Sequence, residues 1–86
     1  MEYRSTLTLS ARDSPFIVIV EPWAEEFRIE PGVTCRVVAL HARAASTFEV
    51  ELYQGALIVY VNEAGSTFEF WRGEAREFWT PVPIPW

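Results

Sequence analysis

Thr47-Phe48-Glu49-Val50-Glu51-Leu52-Tyr53-Gln54-Gly55-Ala56-Leu57-Ile58-Val59-Tyr60-Val61 is the stretch that decides the fold class of this chain. Its first half alternates, with Phe48, Val50 and Leu52 on one side and Glu49, Glu51 and Tyr53 on the other. That is the period of a strand with one buried face. Gln54-Gly55 then supplies a two-residue hairpin turn, where glycine takes the backbone region that such turns demand. The second half, Ala56 to Val61, is apolar at every position. An unbroken apolar run suits a strand covered on both faces. Phe16-Ile17-Val18-Ile19-Val20 is a second run of the same kind.

Working outward, the same period recurs between turn signals every eight to twelve residues or so, the pattern of a β-sandwich or barrel. Strands are expected over Tyr3–Leu9, Phe16–Glu21, Glu26–Ile29, Thr34–Ala42, Thr47–Tyr53, Ala56–Val61, Thr67–Trp71 and Ala75–Trp79. Phe27, Ile29, Phe68 and Phe70 point inward. Arg12-Asp13-Ser14-Pro15 reads as a turn, and Glu30-Pro31-Gly32-Val33 fits a type II turn, with proline second and glycine third. Loops this short favour antiparallel neighbours, and those of the second half suggest a meander. The expected class is therefore all-β: an antiparallel sandwich or Greek-key barrel of seven to eight short strands. It occupies residues 1–79, followed by a Pro-rich tail at 80–86 that lies on the domain or on a partner. Prolines 81, 83 and 85 remove ladder donors, so the tail cannot be a central strand.

Composition narrows the function classes. The chain has 86 residues, half of them hydrophobic, and a net charge of −5 from seven arginines against twelve acids. A core is affordable, but two layers are the limit at this size. The acidic balance speaks against nucleic acid, which requires a basic stripe, and against an anionic membrane surface. No apolar stretch approaches the roughly 20 residues of a membrane-spanning helix. The lone Cys35 makes no internal disulfide, and no basic-then-apolar leader follows Met1, so a cytoplasmic location is the expectation.

Chemistry-bearing residues are few. Zinc needs three or four ligands and a blue-copper centre a two-His, one-Cys set; one His and one Cys supply neither, so no metal and no cofactor are expected. Cys35 and His41 share a strand face about 20 Å apart, too far to act together. They read as a structural thiol and a strand-end histidine. Glu49 and Glu51 stand roughly 7 Å apart, a spacing compatible with acid–base work, yet alternating Glu is also the ordinary solvated face of a sheet. There is no phosphate loop and no nucleophile elbow, so no catalytic residue is named and the chain reads as a non-enzyme.

Apolar surface is the surplus. If Val18, Val20, Val59 and Val61 face the core, then Ile17, Ile19, Ile58 and Tyr60 face outward. Should the two apolar strands pair, these four form one contiguous patch, the mark of a contact surface. Its cover would be the tail through Val82, Ile84 and Trp86, a second copy in a homodimer, or a different protein partner. The expected function is a protein-interaction or self-association module. The alternative is a carbohydrate- or small-ligand-binding domain, with Tyr53 and Trp71 as outward aromatic platforms beside Glu49 and Glu51. Trp23 is placed at one end of the sandwich, with Trp79 or Trp86 across the core edge.

The segment Ile19-Val20-Glu21-Pro22-Trp23-Ala24-Glu25-Glu26-Phe27, followed by Pro31-Gly32 and a strand at Cys35–Ala39, resembles a pattern in small uncharacterised bacterial all-β proteins of about this length. The likeness covers roughly the first half of the chain and implies no activity. The Pro-Gly turn between strands is also similar to cupin and cupredoxin barrels, but the metal-binding histidines of those families are missing, so their functions do not carry over.

Overall fold

A computed structural model of the chain describes residues 3–41 and 48–85. Among the described residues there are eight strands: β1 (Tyr3–Ser10), β2 (Phe16–Glu21), β3 (Glu25–Ile29), β4 (Thr34–His41), β5 (Phe48–Tyr53), β6 (Ala56–Val61), β7 (Thr67–Arg72) and β8 (Ala75–Trp79). They form two four-stranded sheets, ordered β1-β4-β7-β8 and β3-β2-β6-β5. The molecule is an all-β sandwich, not a closed barrel. Among the described residues no helix is long and apolar enough to cross a membrane.

Turn chemistry places the hairpins. At Gln54-Gly55 both residues have positive φ, 47° and 80°, which matches the twist of the flanking strands. At Glu30–Val33 the Val33 amide donates to the Glu30 carbonyl at 3.1 Å with Gly32 at φ 84°, the geometry of a type II turn.

The meander does not form. The β5–β6 and β7–β8 hairpins lie in different sheets, and β2 pairs with β6 in parallel, setting Ile19 beside Ile58. Short loops exclude parallel pairing only between strands adjacent in sequence. Between β2 and β6 the chain passes through β3, β4 and β5, more than the crossover a parallel pair requires.

The core takes Val18, Val20, Val59 and Val61 from one sheet and Val37, Ala39, Phe68 and Phe70 from the other. Along the β3 side an aromatic cluster closes the seam. Phe27 stacks on Phe70, ring centroids 3.9 Å apart at 6°, and meets Phe78 edge-on at 5.7 Å. The β5 side is open. Val50 and Leu52 have inward parity, yet Leu52 is 81% exposed, so the apolar side of the most regular strand is only partly covered.

The tail packs on its own domain. Ile84 joins the core, its amide donating to the Ser66 carbonyl at 3.0 Å and its carbonyl accepting from the Gly65 amide at 2.9 Å. Trp23 seals that end, its ring 4.7 Å from Phe68 and its indole N–H donating to the Val82 carbonyl at 2.7 Å. Of the two placements left open for the tail, on the domain or on a partner, Ile84 takes the first: its side chain is buried within the subunit and is not offered to a partner. Val82 remains exposed, and Trp86 lies outside the described residues.

Candidate functional site

The outer face of the β3-β2-β6-β5 sheet is built by register. One cross-strand row runs Arg28, Ile17, Ala56, Tyr53; the next runs Glu26, Ile19, Ile58, Glu51; a third sets Glu21 beside Tyr60 and Glu49. Cross-strand neighbours have Cβ atoms about 4.5–5.5 Å apart, so Ile17, Ile19, Ile58 and Tyr60 make a continuous apolar stripe on the two central strands. All four are half-buried, while the valines between them fill the core. The edge strands β3 and β5 and the end of β2 turn the same face polar. Its acids are Glu21, Glu26, Glu49 and Glu51, and its base, Arg28, donates to Glu30 at 2.6 Å. Glu49 accepts from the Asn62 side-chain amide at 2.7 Å.

The outer face of the β1-β4-β7-β8 sheet has the opposite character. Its central feature is Glu69, 8% exposed, with register neighbours Val38 and Trp79. Arg4 and the Trp71 indole N–H each donate to Glu69 Oε1 at 3.0 Å, and Arg76 donates to Oε2 at 3.0 Å. Burial alone would raise the Glu69 pKa, but the Trp71 and Arg76 hydrogen bonds and the Arg4 and Arg76 charges outweigh it and hold the carboxyl below its ordinary value. The Arg36 guanidinium lies 4.9 Å above the Trp71 ring and that of Arg76 5.8 Å above Trp79, within cation–π range. Beneath these groups Val38 is 1% exposed despite its outward parity. Sequence reasoning missed this assembly. The available signal was Glu69 and Trp71 two residues apart on one strand face.

The sandwich separates the four residues of the expected ligand face. Tyr53, Glu49 and Glu51 lie on one sheet and Trp71 on the opposite sheet, where its indole is committed to Glu69. Alternation reveals which side of its own sheet a residue occupies, not which sheet holds it, so these four do not converge on one ligand.

Two other features bear on chemistry. At the open β5 side an apolar cleft of about 390 Å³ is lined by Ser14, Pro15, Phe16, Leu52, Gly55 and Leu57. Cys35 is buried; burial pushes its thiol pKa up, partly opposed by the Arg72 charge. A buried, protonated thiol is a poor nucleophile. Among the described residues no three His, Cys, Asp or Glu side chains are grouped to hold a metal ion. Compared with protein-family models, curated proteins and solved structures, the chain matches none.

Proposed function

We propose that this chain is a non-enzymatic protein-interaction module that works through the outer face of the β3-β2-β6-β5 sheet. The observation that carries this reading is the parallel pairing of β2 with β6, which sets Ile17 beside Ala56 and Ile19 beside Ile58. The stripe owes nothing to core demand, because the alternate residues Val18, Val20, Val59 and Val61 already fill the interior. An apolar centre with a polar rim is the anatomy of a protein contact.

The test is the double variant Ile19→Thr/Ile58→Thr, which keeps β-branched side chains and strand preference while making the stripe polar. Sedimentation velocity of the wild-type chain over a wide concentration range should show association. The variant should weaken it at least tenfold, with a melting curve close to that of the parent. Association that is equally strong in the variant would refute the assignment of this face.

A further inference from the structure

The geometry points to head-to-tail stacking, in which the acidic apolar face of one copy docks on the Arg–Trp face of the next. This rests on the reading of the stripe as a protein contact and names its occupant, a second copy of this chain, together with the surface that copy presents. Three observations converge on it.

First, the two broad faces carry opposite charge. On the β3-β2-β6-β5 face four glutamates stand against Arg28, which is already paired with Glu30. On the β1-β4-β7-β8 face Arg4, Arg36 and Arg76 surround Glu69, already saturated by its own donors. Among the described residues Arg36 meets no carboxylate, and none of Glu21, Glu26 and Glu51 meets a base. Second, both faces offer apolar side chains to a partner: the Ile17, Ile19, Ile58 and Tyr60 stripe at the centre of one, and on the other Trp71 together with Trp79, which is 53% exposed on the edge strand β8. Third, the faces lie on opposite sides of a slab measuring 38 × 27 × 18 Å. Its thickness exceeds the screening length of about 8 Å at physiological salt, so the complement is satisfied only between molecules.

A symmetric dimer through the stripe answers none of this. It would set four carboxylates against four carboxylates, a repulsive arrangement, and leave the Arg–Trp face uncovered. A heterologous contact uses both faces, and because every stack still presents one free face of each kind at its two ends it propagates into open assemblies.

The experiment uses two charge reversals on the full chain, Arg36→Glu on one face and Glu51→Arg on the other, each checked for native circular dichroism. Neither residue hydrogen-bonds to Glu69, and because Arg36 stacks over Trp71 the melting curve of Arg36→Glu is compared with that of the wild type. Wild type should give species whose mass keeps rising with concentration beyond that of a dimer and falls as salt is added. Each variant alone should associate about tenfold or more weakly, in line with charge complementarity across an interface. Their equimolar mixture should regain mass, because each reversed face now meets an opposite charge in the other variant; misfolding cannot produce that rescue. A wild-type dimer that stops at two copies and is indifferent to Arg36→Glu would overturn head-to-tail stacking and leave the stripe as a symmetric contact. A wild type that stays monomeric at every concentration would overturn self-association altogether.

Discussion

Phe27 and Leu52 have the same inward parity on strands of the same sheet, and they should respond very differently to truncation. Phe27 lies face to face with Phe70 and edge-on to Phe78 and Phe68, tying the β3 edge to the opposite sheet. A well-buried Phe→Ala costs about 3–5 kcal/mol, including about 0.5–1.5 kcal/mol for each good aromatic pair beyond its buried area. Phe27 is only partly buried, so the lower end applies, about 3 kcal/mol. A domain of this size has roughly 4–13 kcal/mol in all, and at about 4–8 °C per kcal/mol the melting point should fall by roughly 12–24 °C. Leu52→Ala should cost under about 0.5 kcal/mol, because 81% of that residue already faces water. Urea and thermal unfolding followed by circular dichroism at low micromolar concentration measure both. If Phe27→Ala costs less than about 1 kcal/mol, or Leu52→Ala costs as much as Phe27→Ala, then the picture of a sandwich sealed at β3 and open at β5 is mistaken.

Two further outcomes follow from the Glu69 network and the tail. The Glu69 carboxyl is held below its ordinary value of 4.5 when folded, so its network contributes fully above that value and is lost as pH falls through the lowered one. Glu69→Gln should therefore cost about 1–2 kcal/mol at pH 7, the low end for charge-assisted bonds because Arg4 and Arg76 are half in water. It should also flatten the acid limb of the stability–pH profile below about pH 4.5, leaving the smaller slope due to Glu77, itself lowered by its Arg72 hydrogen bond; an acid limb as steep as that of the wild type would count against the network. Ile84→Ala should cost about 2–4 kcal/mol in a urea titration, since that side chain is 3% exposed in the core; a loss near zero would mean that the tail does not stay docked.

Local chemistry was legible in particular places. Gln54-Gly55 and Pro31-Gly32 announced their turns because each needs a backbone that few other residues adopt. Strand positions followed from alternation, whereas in the unbroken apolar runs of β2 and β6 the division into a core side and an outward side was available only as a condition, which the burial of Val18, Val20, Val59 and Val61 meets. What alternation does not carry is which sheet holds a strand. That is why Tyr53 and Trp71, both outward, were grouped as one ligand face although they occupy opposite sheets. The β2–β6 pairing was available only as a condition, because a parallel contact between distant strands leaves no local mark. Leu52 shows the same gap from the other direction. Its strand is as regular as any in the chain, but periodicity says nothing about whether the opposite sheet reaches far enough to cover it.

The apolar stripe raises one objection that composition can answer. Central strands favour isoleucine and tyrosine for their fit to a pleated sheet, so Ile17, Ile19, Ile58 and Tyr60 could be there only to stabilise pairing. The opposite sheet is the internal control. Its central strands β4 and β7 are equally flanked on both sides, yet their outward positions are Arg36, Val38 and Leu40 on one and Thr67, Glu69 and Trp71 on the other. Strand pairing in this molecule tolerates charge on a central outer face and builds a satisfied network from it. Pairing alone therefore does not require four large apolar side chains in a row on β2 and β6. The two faces differ in chemistry while sharing the same structural demand, and that difference supports the proposal that the stripe serves contact.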